Sequence, residues 1–198
     1  MTNFMLFLFF GYLLGSLSSA VIVCQLMGLP DPRTQGSKNP GATNVMRIGG
    51  KKAAYTTFVG DFLKGLLPVL LAKFTVGSDV TIAGAALGAF LGHLYPLYFH
   101  FKGGKGVATL VGVLVGISLW IFLVFGVVWL ALLLSTGYVS LASILGAVIA
   151  AIAALLFGYG KTLVGVLTAL AVLVIYRHRE NIHKLRNGTE NRFGKKKE

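Results

Sequence analysis

The sequence predicts an all-α fold: a polytopic integral membrane helix bundle of about seven transmembrane helices, N-terminus outside and C-terminus cytoplasmic. Three observations predict it. Of 198 residues, 56% are hydrophobic and only 12% are charged, whereas a soluble domain is about half apolar and a quarter charged. The mean hydropathy is +0.79. The apolar residues also gather in runs close to the roughly 20 that cross a bilayer. A water-soluble monomer, a disordered chain and a coiled coil are thereby excluded. Cys24 is the single cysteine, so no intrachain disulfide can form. Met1-Thr2-Asn3 has no basic n-region, so no cleavable signal peptide is expected.

The runs cover 4–28, 53–74, 80–99, 107–134, 140–157 and 162–176. Lysines and arginines set their sidedness. Five lie in 29–52, two in 100–106 and eight in the tail 177–198, while 75–79 and 135–139 hold none. The three rich segments are therefore placed in the cytoplasm, which demands an odd number of crossings. Six runs would strand the tail outside. Run 107–134, about 42 Å long as one helix, accommodates two short helices breaking near 116–118, giving seven crossings. Five remain possible if 140–176 crosses once with a re-entrant part. Gly84, Gly88 and Gly92 form a small-residue stripe, repeated at Gly112 and Gly116, and predict close helix packing inside the bundle.

The net charge of +12 would suggest nucleic acid in a soluble protein. Here the cations flank apolar runs and face anionic lipid or phosphate, so no nucleic-acid partner is expected. Two cytoplasmic stretches suit phosphate. In 36–47, small residues (Gly36, Gly41, Ala42) leave backbone N–H groups open. Ser37 and Thr43 add hydroxyls, Asn39 and Asn44 add amides, and Lys38 and Arg47 add charge. A flexible interfacial loop carrying topogenic charge is the alternative. In Lys102-Gly103-Gly104-Lys105-Gly106, a glycine-rich turn feeds a helix start, a ready anion site, although the Walker A spacing is absent. Two topogenic lysines on a turn are the alternative there.

Asp61 and Lys64 sit mid-span at i and i+3, positions that can pair. Intramembrane charges cost about 2.5–3.5 kcal/mol and face a bundle interior. They form either a structural ion pair or a support beneath a polar site. His93 reads as a buried hydrogen-bonding histidine, not a metal ligand. His178 lies in a basic juxtamembrane segment and suits a base or a hydroxyl-orienting group. If the last helix continues, it shares a face with Asn181 and Ile182. No HExxH, CxxC or carboxylate cluster offers a metal site, and neither a GxSxG elbow nor an HxxxxD pair occurs.

Three stretches carry a family likeness. The first is Gly15-Ser16 with Asp31 to Arg47. The second is Gly92-His93 and Pro96 followed by Phe101 to Thr109. The third is Arg177-His178-Arg179-Glu180-Asn181-Ile182 with Arg186, Gly188 and Glu190. Asp61-x-x-Lys64-Gly65 fits as well. The chain resembles, nearly end to end, the PlsY-type acyl-phosphate:glycerol-3-phosphate acyltransferases of bacteria, departing at Ser18, where proline is common. The resemblance implies one membrane-embedded acyltransferase domain over 1–198. It would transfer an acyl group from acyl phosphate to the sn-1 hydroxyl of glycerol 3-phosphate, releasing lysophosphatidic acid and phosphate.

On this reading Ser37, Asn39, Gly41, Ala42, Thr43, Asn44, Arg47, Gly103, Gly104 and Lys105 hold substrate phosphate. His178 and Asn181 act on the attacking hydroxyl, and Asp61, Lys64, His93, Lys102 and Glu180 support the site. No metal or cofactor is expected. The protein is expected to be a multi-pass monomer of the bacterial inner membrane, its site facing the cytoplasm. A small organic-anion transporter is the rival reading, although no internal repeat beyond the glycine stripes supports it.

Overall fold

The computed structural model describes residues 2–193; the tail lysines Lys195, Lys196 and Lys197 lie outside the described residues. Two compact units emerge, one ending at Ile117 and the other beginning at Ser118. That boundary is the break expected within 107–134. Helix α5 (Val107–Ile117) stops, and Ser118 caps α6 (Leu119–Thr136), its hydroxyl accepting from the Ile121 N–H at 3.4 Å. A serine N-cap satisfies a donor that the first helical turn leaves unpaired.

The first unit holds α1 (Thr2–Gly15), α2 (Ser19–Leu26), α3 (Ala42–Thr75), α4 (Asp79–Leu94) and α5. The run expected to be continuous over 4–28 is interrupted at 16–18. There the Ser16 hydroxyl bonds back to Tyr12 O at 2.7 Å, and Leu17 O accepts from Lys64 Nζ at 2.7 Å. Helix α3 begins earlier than the expected 53 and kinks at Gly50, whose φ of 76° is open to glycine. Lys73 caps the C-terminus of α5 by donating to Gly116 O at 3.2 Å and Ile117 O at 3.1 Å, where the helix dipole favours a cation.

The glycine stripes pack helices within this unit. A Cβ on Gly84 would lie 2.6 Å from Phe4 O, and one on Gly88 or Gly92 would overlap the carbonyl of Leu8 or Tyr12. From the other side, Gly11 approaches Ala85 O and Gly15 approaches Ala89 O. Helices α1 and α4 therefore meet backbone to backbone, the contact that holds helices together where lipid removes the hydrophobic drive. Gly65 against Thr109 O and Gly112 against Phe62 O do the same for α3 and α5.

The second unit holds α6, α7 (Val139–Leu156), α8 (Lys161–Arg177) and α9 (Arg179–Arg186). Residues 140–176 form two helices, α7 and α8. Helix α6 exposes Leu119, Trp120, Leu123, Val127, Leu130 and Leu134 while burying Ile121 and Phe125, as suits a helix facing lipid. The last helix does not continue straight: α8 and α9 meet at 58°. Beyond them the Phe193 N–H donates to Gly137 O at 2.8 Å. The tail and the 135–139 turn thus share one end of the unit.

Among the described residues, four stretches are long and apolar enough to cross a bilayer: Thr2–Leu26, Asp79–Phe99, Leu119–Thr136 and Val139–Leu156. The bent pair α8–α9 makes a fifth when counted as one span. The part of α3 beyond Gly50 carries Asp61, Lys64 and Lys73. Helix α5, at 11 residues, covers about 16 Å.

Candidate active site

The loop between α2 and α3 is wound around one side chain. Asn44 is 1% exposed, and its amide oxygen accepts from the Ser37 N–H at 2.8 Å. Its NH2 donates to Pro32 O at 2.9 Å and Gln35 O at 3.0 Å. The amide expected to contact phosphate is thus spent on the loop itself, because a buried amide must satisfy its own polar atoms first. Gly36 lies at φ 60° with Asn44 Oδ1 where a Cβ would sit, so only glycine fits. Lys38 holds φ 57° without that freedom, a strain of about 1 kcal/mol or more of the kind functional loops store.

The loop then feeds α3. Gly41 is its N-cap and brings no capping side chain, which leaves the first-turn N–H groups of Ala42 and Thr43 to a ligand. Ser37, Thr43 and Arg47 are exposed, while Asn39, Gly41 and Ala42 are half-buried. Upstream, Arg33 forks onto Asp31, with Nη2 at 2.6 Å from Oδ2 and Nε at 3.0 Å from Oδ1. Arg33 Nη1 reaches Phe99 O at 3.3 Å.

That hydrogen bond from Arg33, assisted by its charge, holds the Asp31 carboxyl below the ordinary carboxylate range. The depressed value means the pair stabilises the loop above the unperturbed pKa of 3.8 and ceases to as pH falls through the lowered one. The pair is partly exposed, so Asp31→Asn should cost less than about 1 kcal/mol. Thermal unfolding in detergent should show that gap at pH 7 and its closure toward pH 3.

The second loop packs against the first. Gly103 and Gly104 are buried. A Cβ on Gly103 would overlap His93 O, and one on Gly104 would overlap His93 Nε2 and lie 2.9 Å from Pro40 O. The Gly104 N–H donates to His93 O at 3.3 Å. Sequence reasoning valued these glycines for open N–H groups; close packing is a further reason that requires them. Lys105 is half-buried just ahead of α5, and Lys102 is exposed.

Beneath the two loops runs a buried polar chain. His93 Nδ1 lies 3.6 Å from Asp61 Oδ1, and Asp61 pairs with Lys64 at 2.8 Å. Lys64 ends on Leu17 O. Asp61 is 2%, Lys64 7% and His93 6% exposed. The carboxylate expected mid-span therefore reaches the Gly103–Gly104 turn through His93.

The second unit holds the remaining predicted residues. His178 is 3% exposed and terminates α8, with Nδ1 2.8 Å from Val174 O. A carbonyl only accepts, so Nδ1 carries the hydrogen in this contact. Asn181 is half-buried in α9. Glu180 is exposed in the first turn of α9, where an acidic side chain favours the helix. Sequence reasoning gave no role to Glu190, which accepts from Asn181 Nδ2 at 2.7 Å.

The model of the family described as glycerol-3-phosphate acyltransferase matches residues 5–188. A Coxiella burnetii (strain RSA 493 / Nine Mile phase I) glycerol-3-phosphate acyltransferase is 48% identical over 189 residues, covering 96% of this chain and 97% of its own. One from Methylococcus capsulatus is 47% identical over 188 residues, covering 95% of each. A crystal structure of PlsY (YgiH), an integral membrane glycerol 3-phosphate acyltransferase in its glycerol 3-phosphate form, matches with a TM-score of 0.92. It is 43% identical and covers 96% of both chains. Its lysophosphatidic acid form matches at 0.90 and 42% identity, covering 96% of this chain and 95% of that one. Fold, loops and likeness agree across nearly the whole length, and the chain belongs to the glycerol-3-phosphate acyltransferase family of integral membrane proteins.

Proposed function

We propose that this protein moves a fatty acyl group from acyl phosphate to the sn-1 hydroxyl of glycerol 3-phosphate. The products are 1-acyl-glycerol 3-phosphate (lysophosphatidic acid) and phosphate, in the first acylation of phospholipid synthesis. It acts as a monomer of the bacterial inner membrane, without a cofactor, its site facing the cytoplasm and residues 1–198 serving as one acyltransferase domain. The observation that carries this reading is the meeting of the two phosphate-suited loops, with Gly104 against Pro40 O. Both substrates bear phosphate, and one basic surface built from two loops suits a pair of them.

Ser37, Arg47 and Lys105 hold the phosphates, with the first-turn N–H groups of α3. Asp61, Lys64 and His93 support the second loop from below. Two unit charges 4 Å apart interact by about 4 kcal/mol near a protein surface, so two or three cations offset the repulsion between dianions. Asn181 and His178 orient the hydroxyl. Its oxygen attacks the acyl carbon, an ester C–O bond forms, and the acyl–phosphate bond breaks with its electron pair leaving on phosphate. The donor is already activated, so positioning supplies much of the rate. The hydroxyl proton passes to the departing phosphate.

Purified protein supplied with glycerol 3-phosphate should form lysophosphatidic acid from palmitoyl phosphate and none from palmitoyl-CoA. Product from neither donor, with folded protein, would overturn the enzyme reading. A histidine base contributes about 100-fold or more. His178→Gln should therefore keep more than about a tenth of kcat, with an unchanged pH profile, if phosphate takes the proton. A steeper loss with an altered profile would make His178 the base.

A further inference from the structure

In the second unit the tail meets the 135–139 turn at one end. At the other, where α6 and α8 begin and α7 ends, Trp120, Phe157, Gly158 and Tyr159 line a cavity of about 470 Å3. Ligand pockets span roughly 300–1,000 Å3. Trp120 stands in the first turn of α6 and is 71% exposed, while Phe157 ends α7 and is 50% exposed. The turn between α7 and α8 is tight and internally bonded. Gly158 takes φ 75°, its N–H donates to Leu155 O at 3.1 Å, and the Tyr159 N–H donates to Ala154 O at 3.0 Å. These bonds close α7 and set Phe157 and Tyr159 on the cavity wall.

Rings gathered around one cavity select a chemistry. An aromatic face is electronegative and attracts a cation held over it, most strongly for tryptophan. No carboxylate occurs between Asp79 and Glu180 in the sequence, so the α7–α8 turn offers a cation rings and no acidic neighbour. Lys161, the first residue of α8, is exposed two positions past Tyr159. It repels a bare cation and attracts phosphate, so rings and lysine together suit a ligand that carries both charges. Two candidate spans, Leu119–Thr136 and Val139–Leu156, have an end here, which sets the cavity at the headgroup level of a bilayer. Single tryptophans and tyrosines belong to any interfacial belt, but a belt does not close three rings and a lysine around one cavity. We propose that this cavity binds the headgroup of an ammonium-bearing phospholipid, its ammonium among Trp120, Phe157 and Tyr159 and its phosphate at Lys161. Helix α8, 17 residues long, separates the cavity from His178 by about 25 Å, so this lipid is a resident neighbour and not a reactant.

The test uses the full chain with Trp129→Phe, which leaves Trp120 as the single tryptophan. It is reconstituted in bilayers of phosphatidylethanolamine and phosphatidylglycerol with matched chains, brominated on one lipid or the other. Quenching of Trp120 then reports which lipid lies beside it. Phosphatidylethanolamine should be favoured about tenfold, since only its headgroup brings a cation to the rings. Phe157→Leu with Tyr159→Leu keeps the wall apolar, removes two rings and should bring that ratio to within about twofold. If the pair does not fold, as judged by thermal unfolding in detergent, Tyr159→Leu alone should lower the ratio at least about threefold. Lys161→Gln should leave the ratio as it is, because both lipids carry phosphate. A ratio near one in the unaltered cavity would reduce the rings to an interfacial belt and overturn the site. A preference kept by the leucine variants, or lost in Lys161→Gln, would place selection outside the rings and overturn it as well.

Discussion

Arg47→Ala is expected to lower kcat/KM for glycerol 3-phosphate at least about 100-fold, and Lys105→Ala by a similar factor. Arg47 is exposed in the first helical segment of α3, a little over one turn past the uncapped N–H groups of Ala42 and Thr43. Its fork reaches an anion held at that helix start and grips two phosphate oxygens together. Arg47→Lys keeps the charge and loses the fork, so it should recover only part of the rate. Lys51 and Lys52 are exposed on the same helix just beyond the Gly50 kink. Their alanine variants should stay within about threefold, since a diffuse field at that distance is screened by salt. Steady-state kinetics on the purified variants read all of this. Arg47→Ala within threefold of wild type, or Lys51→Ala as damaging, would reduce the loop to a topogenic charge cluster.

What the sequence revealed and what it withheld divide along a physical line. The break before Ser118 was readable because a 107–134 run is too long for one crossing, and length is a local property. The interruption at 16–18 was not, because the residues there remain apolar or small. Its reason lies 47 positions away, where Lys64 needs Leu17 O. Asn44 shows the same limit within the site. Its residue type marked it as a hydrogen-bonding group, but composition cannot say whether an amide faces a ligand or its own loop. Gly103 and Gly104 were noticed for their turn, while the packing that forbids a side chain there was not legible, since its atoms belong to His93 and Pro40. The bend at His178 and the return of Glu190 to α7 arise from tertiary contacts, and no periodicity in the tail announces them.

Asp61 separates a structural ion pair from a support for catalysis, and its substitution should have the largest effect on stability. Removing one partner of a buried pair leaves the other charge uncompensated, which costs about 3–5 kcal/mol. In Asp61→Ala the Lys64 ammonium would keep only Leu17 O, inside a segment where lipid surrounds the bundle. Replacing both charges with apolar groups of similar volume, Asp61→Leu with Lys64→Met, removes that burden. Buried pairs exchanged this way are often neutral in stability. The unpartnered Leu17 carbonyl should hold recovery to within about 2 kcal/mol of wild type. Activity should not return with stability, because His93 would no longer have a carboxylate 3.6 Å away beneath the Gly104 turn. Thermal unfolding in detergent and turnover of palmitoyl phosphate on the same preparations decide the matter. Stability and rate restored together would make the pair purely structural; stability restored while the rate stays low would make Asp61, through His93, part of what holds the second loop in place for phosphate.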